Sequence, residues 1–269
     1  MTELRWAALG LLALVDPQEK CQGVHALAAR ALAIAPQCVI AEPPGLPGRP
    51  QRPRLVPAKH VPMRSHMTPE GRIALLHAIV HIEFNAINLA LDAIWRFAGM
   101  PEDYYRDWLK VAIEETEHFE LLSARLGAYG AVYGDCDAHD GLWQMAQATA
   151  DDVLARMALV PRTLEARGLD ASPAVKAKLA SAGDAESAAA LDIILRDEIG
   201  HVAIGNRWFH HLCAARGLEP VSTYAQLVAA HAAPRPRPPF NLEARRAAGF
   251  FPEEIDALLE QPLLASARQ

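Results

Sequence analysis

The chain reads EETEH at residues 114–118 and DEIGH at residues 197–201. Each stretch contains a Glu-x-x-His unit, formed by Glu115 with His118 and by Glu198 with His201. Residues three positions apart lie on one face of a helix, so both side chains of a unit can reach the same metal site. One such unit is a weak signal, because many arise by chance, and the alternative is a solvent-exposed acidic helix face.

A lone glutamate precedes each unit by nearly the same distance. Glu83 lies 32 residues before Glu115, and Glu165 lies 33 residues before Glu198. The chain therefore repeats one arrangement, in which a helix with one Glu is followed by a helix with Glu-x-x-His. Two such hairpins provide four carboxylates and two histidines, the ligand set of di-iron and di-manganese carboxylate bundles. We predict a two-metal site with the ligands Glu83, Glu115, His118, Glu165, Glu198 and His201.

Two neighbouring acids are candidates for orienting the ligand histidines. A metal-bound histidine usually donates its second ring N–H to a carboxylate or a carbonyl group. Asp197 precedes Glu198, and Glu114 precedes Glu115. We expect Asp197 to accept from His118 and Glu114 to accept from His201.

The helix-three ligand has an alternative. Pro161 lies four residues before Glu165 and should bend the helix or remove one of its hydrogen bonds. The kink can turn Glu165 inward. Otherwise Asp152 or Asp151, further up the same helix, supplies the ligand.

The rest of the chain is predicted to be helical, with no strand candidate. Thr68-Pro69 is typical of a helix start, and the glycines at 168, 183 and 217 are typical helix ends. Prolines are dense in residues 36–69 and 234–239, which indicates extended segments. The predicted helices cover residues 2–35 with a break at Asp16-Pro17, 68–98, 101–127, 141–167, 172–182, 185–216 and 252–259.

These elements predict an all-α fold. Residues 68–217 are expected to form a ferritin-like four-helix bundle that holds the metals. Residues 1–67 form an N-terminal extension of helices and a proline-rich arm. Residues 218–269 form a C-terminal extension.

Composition favours a soluble, cytoplasmic protein. The 269 residues are 51% hydrophobic with a formal net charge of −6, and the four cysteines include no Cys-x-x-Cys pair. The apolar run Trp6–Val15 imitates a signal-peptide core, but Glu3 precedes it and Asp16-Pro17 ends it without a cleavage site. No apolar run is expected to reach the length of about 18 residues that a membrane span needs.

Several segments resemble a known group. The run from His77 to Cys213 resembles the ferritin-like superfamily. The segments AHDGLW at 138–143, ARMALVPR at 155–162 and GHVAIG at 200–205 are similar to an uncharacterised bacterial family, the domain of unknown function 455. The tail from Pro239 to Phe250 also matches it. This resemblance implies a ferritin-like bundle and di-metal binding, and it leaves the reaction open.

Three functions fit these expectations. The first is an oxygen-activating di-iron oxidase or hydroxylase acting on a small-molecule substrate with dioxygen; manganese or a mixed pair also suits such ligands. The second is iron handling, ferroxidase action or peroxide detoxification. The third is an RNA-acting hydroxylase, since a neighbouring ferritin-like family modifies tRNA and the arm at 49–64 is basic. The negative net charge and the absence of an aromatic-basic motif disfavour nucleic acid.

Overall fold

The computed structural model describes residues 3–62 and 64–260, and over these residues the protein is all-α. The described residues form no β-strand, only the isolated bridges Glu3–Ala33 and Leu55–Ala138. A 3-10 turn covers Ala58–His60, and a π-helical segment covers Val160–Glu165. The α-helices are α1 (Leu4–Leu12), α2 (Pro17–Ala28), α3 (Pro69–Arg96), α4 (Glu102–Ala128), α5 (Gly141–Ala148), α6 (Val153–Leu159), α7 (Ala166–Ser181), α8 (Ala185–Arg216), α9 (Pro220–Ala230), α10 (Leu242–Ala247) and α11 (Pro252–Glu260).

The chain divides into two compact units. Unit 1 comprises Met1–Gln144 and Lys176–Asp192. Unit 2 comprises Met145–Val175 and Ile193–Gln269. Helices α7 and α8 each cross the boundary, so each helix has one end in unit 1 and the other end in unit 2.

Local signals set the ends of the long helices as predicted. The Thr68 hydroxyl accepts from the Gly71 N–H, and Pro69 occupies the first turn of α3. Gly217, with φ of 65°, follows α8 in the left-handed conformation that favours glycine. Pro17 likewise begins α2 after the predicted break, with Asp16 as its N-cap.

The predicted continuous helix over residues 141–167 is wrong. Helix α5 ends at Ala148, α6 begins after the Asp152 N-cap, and the π-helical segment follows. The predicted stop at Gly168 is also wrong, because α7 continues to Ser181 and Gly183, whose φ is 81°, follows two residues later. Gly168 does not have positive φ, and full burial of Leu169 in the core favours continuing the helix.

Unit 1 is centred on the contact between α3 and α4, against which α1 and α2 also pack. Helix α3 is long and apolar enough to cross a membrane by length and composition, although polar residues such as Glu83 interrupt its apolar sequence. However, 67% of its apolar window is buried inside the protein. Such burial is typical of a core helix, so α3 needs no lipid to cover it.

Unit 2 contains two helices that the sequence analysis missed, α9 and α10. Ala244 and Ala248, at the inner face of α10 and just after it, pack on Leu169 of α7 and Val202 of α8. Asn241 caps α10 by accepting from the Ala244 N–H. Much of the C-terminal extension is therefore helical, and it buries part of the unit 2 core.

Lys20 is an unusual core residue of unit 1. Its ammonium group is fully buried and donates to the carbonyls of Leu12 and Gly48 and to the Asn88 side chain. Burial, aided by the positive charge of Arg49, lowers the pKa of Lys20 from 10.5 to about 7. The three acceptors tie α2 to α1, to α3 and to Gly48 of the proline-rich segment.

This lysine should make stability depend on pH. Between pH 7 and 10.5 the unfolded chain binds a Lys20 proton that the folded chain has released, so Lys20 makes folding more favourable as pH rises. We expect the stability of wild type minus that of Lys20→Met to grow by roughly 1 kcal/mol per pH unit between pH 7.5 and 9.5. Urea unfolding of both proteins at several pH values measures this difference in stability. A constant difference across this range would contradict the assignment, and the exposed Lys178→Met variant should show no such trend.

Candidate metal centre

Helices α3 and α4 bring Glu83 and Glu115 to the same level of unit 1. Glu83 lies 14 residues before Phe97, the residue after α3, and Glu115 lies 14 residues after Pro101, the residue before α4. At a rise of 1.5 Å per residue, each carboxylate is about 21 Å from the connecting turn. Two packed helices joined by a short turn therefore place these acids opposite each other.

His118 lies between the two carboxylates. Its Nδ1 atom is 3.6 Å from Oε2 of Glu83 and 3.5 Å from Oε2 of Glu115. All three side chains are buried, and Glu115 has no exposed surface. Each residue offers a ligand atom within 4.8 Å of the other two. The structure therefore brings the predicted ligand Glu83 together with the first Glu-x-x-His unit.

The two carboxylates dominate the electrostatics of His118. Burial lowers the pKa of the imidazole, but Glu115 and Glu83 outweigh burial and raise it to about 11. Without a metal, His118 is therefore a cation between two anions. Binding a metal at Nδ1 requires the loss of that proton, so metal uptake and proton release are coupled.

The residues fit a transition-metal ion. Carboxylate oxygen and imidazole nitrogen are ligands that iron, manganese and zinc all accept. Ligand atoms about 2.1 Å from one ion lie roughly 3 to 4 Å from one another, which matches the distances around His118. Buried carboxylates are costly unless they are paired with a cation or bind a metal. This buried group could hold a metal ion.

The second Glu-x-x-His unit lies on α8 in unit 2. Nδ1 of His201 is 3.8 Å from Oε2 of Glu198, and both residues are buried. The spacing of three residues places both on one helix face, as predicted. The two units of the repeat thus have the same local geometry.

Glu165 is the last residue of the π-helical segment, and Pro161 lies in the first turn of that segment. Proline has no N–H to donate to the preceding turn. Two residues later, the Thr163 hydroxyl donates to the carbonyl of Ala158. Pro161 packs so closely on α8 that a Cβ atom at Gly205 would lie 2.5 Å from its Cβ. The predicted kink is therefore present as a π-helical turn, and Glu165 is half-buried at its end.

A family model described as "Protein of unknown function (DUF455)" matches residues 13–256. The chain belongs to this family. An uncharacterised protein of Haemophilus influenzae is 46% identical to the DUF455 chain over 268 residues, which cover 93% of this chain and 91% of the relative. No solved structure gave a significant match.

The acids predicted to orient the histidines each contact a basic residue of their own helix. Asp197 accepts from the guanidinium of its neighbour Arg196 at 2.8 and 2.9 Å. Glu114 lies 3.6 Å from the ammonium group of Lys110, one turn away on α4. Neither contact concerns a ligand histidine, and the roles of Asp197 toward His118 and of Glu114 toward His201 stay predictions.

Asp152 is engaged elsewhere in the DUF455 protein, which disfavours it as the alternative to Glu165. Its carboxylate caps α6 by accepting from the Leu154 N–H at 3.0 Å. It also accepts from the Arg216 guanidinium at 2.9 Å. Asp151, beside it, is exposed. Glu165 is therefore the better candidate from this part of the DUF455 chain.

The sequence analysis missed Tyr133, which packs near the unit 1 group. Its ring contacts Phe84 and Phe119, the residues that follow Glu83 and His118 in sequence. Burial lowers the pKa of His81 to about 4, so this imidazole is neutral; its Nε2–H donates to the His139 carbonyl and its Nδ1 accepts from the Tyr133 hydroxyl. A loop tyrosine has no local pattern that marks such a contact in a sequence.

Proposed function

We propose that the protein is a di-iron carboxylate protein that activates dioxygen as an oxidase or hydroxylase of a small-molecule substrate. The observation that carries the proposal is the buried group of Glu83, Glu115 and His118, reproduced in local geometry by Glu198 and His201. We further propose that both halves of the repeat, with Glu165, share one two-metal centre. Residues 68–217 would then form the ferritin-like four-helix bundle, flanked by the extensions 1–67 and 218–269.

The side chains have separate tasks in this proposal. The carboxylates of Glu83, Glu115, Glu165 and Glu198 supply negative charge that balances the metal charge. His118 gives up its Nδ1 proton on loading, while burial of the group keeps bulk water away. When bound, the two irons supply the capacity to bind and reduce dioxygen. Manganese or a mixed pair satisfies the same ligands.

Iron handling, ferroxidase action and peroxide detoxification use the same metal site and remain the alternative within this proposal. Wild-type protein that consumes oxygen only in proportion to added iron, with no dependence on an organic substrate, would favour iron handling. Oxygen consumption that requires a substrate would favour the oxidase or hydroxylase.

RNA modification has less structural support. Arg49 pairs with Asp140 at 2.6 Å, and Arg54 pairs with Asp137 at 2.6 Å. Two arginines of the basic arm are thus neutralised by the protein's own loop, which lowers their capacity to bind phosphates. We therefore propose a small-molecule substrate. The four cysteines are free, which agrees with a reducing, cytoplasmic environment.

Elemental analysis tests the proposal. We expect about two iron or manganese ions per wild-type chain purified without chelator or reconstituted anaerobically. The Glu198→Ala/His201→Ala variant should lose most of this metal, whereas Glu186→Ala, an exposed acid of the same helix, should retain it. Metal-free wild type after reconstitution would exclude the centre, and one ion per chain would restrict it to one half of the repeat.

A further inference from the structure

Unit 2 contains a cavity, partly open to solvent, that the metal centre does not explain. Its volume is about 250 Å³, so it suits a small molecule and not a polymer. Helix α9, helix α11 and the proline-arginine stretch 234–239 contribute to its wall. Much of the wall is apolar and is formed by Val221, Val228, Pro236, Phe250 and Leu258.

Three arginines interrupt this apolar wall, and two of them already have carboxylate partners. Arg245 binds Asp170 with two parallel contacts, from Nε at 3.0 Å and from Nη2 at 2.6 Å. Arg162 binds Glu254 at 2.6 Å through Nη2. Both guanidinium groups are buried, so these pairs are part of the folded structure and not mobile surface charges.

Arg162 also has an unused donor. Its Nη1 donates to the Asn206 side chain at 2.9 Å, but its buried Nε has no hydrogen-bond partner within the described part of the chain. The guanidinium of Arg162 lies against the rings of Phe209, Tyr224 and Phe250. A buried N–H without an acceptor costs free energy, but the aromatic rings around Arg162 close this donor off from the cavity.

Arg235 is the third arginine, and it is exposed. No described carboxylate forms an ion pair with it. The cavity wall therefore carries one uncompensated positive charge beside an apolar interior. This balance suits a ligand with a single negative charge. A phosphate dianion would leave an excess negative charge close to Glu254.

We propose that this cavity binds a small monocarboxylate with an apolar body. The carboxylate pairs with the exposed guanidinium of Arg235, because forked guanidinium donors match carboxylates. The apolar body packs against Val228, Phe250 and Leu258. This binding site is independent of the metal centre and can be tested separately from it.

Calorimetric titration of the full chain with 3-phenylpropionate and with its neutral amide, 3-phenylpropanamide, tests the proposal. The two probes have nearly the same shape and differ in charge. We expect wild type to bind the acid at least tenfold more tightly than the amide, since one charge-assisted contact gives about this factor. No binding of the acid at about 10 mM, or equal affinity for both probes, would overturn the proposal.

Variants locate the binding site. Arg235→Gln should reduce the preference for the acid at least fivefold, whereas Arg237→Gln, on the same stretch but outside the cavity wall, should leave it unchanged. Ala225→Trp fills the cavity from an exposed helix position and should abolish binding without lowering the thermal midpoint. Undiminished binding by Ala225→Trp would exclude this cavity. Glu115→Gln, altered at the metal centre, should bind the acid like wild type.

Discussion

Replacing Glu115 with glutamine is expected to abolish the stabilisation that ferrous or manganous ion gives to the folded protein. Glutamine keeps the volume of the side chain but removes an anionic ligand from the buried group with Glu83 and His118. A ligand that binds only the folded state stabilises it by about 4 kcal/mol at a thousand times its dissociation constant. We expect this gain in wild type and a gain below about 1 kcal/mol in the variant.

The measurement is anaerobic thermal or urea unfolding of metal-free protein with and without added metal. Glu117→Gln is the matched control, because Glu117 is an exposed acid of the same helix, two residues away. It should retain the full metal effect. The idea fails if Glu115→Gln and wild type gain the same stability, or if Glu117→Gln loses as much as Glu115→Gln. The result does not depend on knowing the substrate.

Proton release is a second measure of the loss of metal binding in Glu115→Gln. His118 is protonated in the metal-free protein because its two carboxylate neighbours raise its pKa to about 11. Loading wild type in a weakly buffered solution should therefore release a proton, and metal affinity should rise with pH. Glu115→Gln should release little, since it binds little metal. Metal that binds wild type without proton release would contradict ligation by His118 Nδ1.

The sequence predicted the unit 1 group well because the group depends on local periodicity. Glu83 and Glu115 lie equally far from the turn that joins their helices, and helical spacing places His118 beside Glu115. Thr68-Pro69 and Gly217 marked helix ends for similar local reasons. The helix ends and the Glu-x-x-His spacing need only residues within one or two turns, and the pairing of Glu83 with Glu115 needs only the lengths of two helices joined by a short turn.

The sequence was less informative where structure depends on distant contacts. Pro161 was recognised as a kink, but the π-helical turn also depends on its close packing against Gly205. Helix α9 was missed because its N-cap is Glu219, a residue type less favoured at that position than Ser, Thr, Asp or Asn. The π-helical turn thus depends on tertiary packing, whereas α9 was missed because its local start signal is weak.

Two buried basic residues show more clearly that distant contacts cannot be predicted from the sequence. Arg5 and Lys20 lie in apparently ordinary helical segments, yet neither has any exposed surface. Their partners are mostly backbone carbonyls that lie dozens of residues away along the chain. No local pattern distinguishes these residues from exposed basic side chains, so only the folded structure identifies them.

Replacing Arg5 with methionine is expected to lower the free energy of unfolding of unit 1 by roughly 3–5 kcal/mol. Arg5 donates to carbonyls in the last turn of α3, from Nε to Ile94 at 3.3 Å and from Nη2 to Trp95 at 2.7 Å. These carbonyls have no partner within their own helix, and the helix dipole favours a cation there. Methionine fills similar space but leaves the carbonyls without a donor.

The same guanidinium also fixes the segment after α2. Nη1 donates to the carbonyls of Ala35, Pro36 and Cys38, so one side chain joins α1, this segment and the end of α3. Arg5→Lys keeps the charge but has three donors on one atom and no fork. It should therefore lose less stability than Arg5→Met, although still more than about 1 kcal/mol.

Urea unfolding monitored by tryptophan fluorescence can follow these losses, because Trp95 and Trp108 are buried in unit 1. Arg106→Met is the matched control. Arg106 forms an exposed pair with Glu102 on α4, and such a pair contributes less than about 0.5 kcal/mol. If the free energy of unfolding of Arg5→Met lay within 1 kcal/mol of that of wild type, solvent or rearranged donors would have to satisfy the carbonyls. Equal losses for the lysine and methionine variants would show that the forked geometry, and not the charge, holds α1 in place.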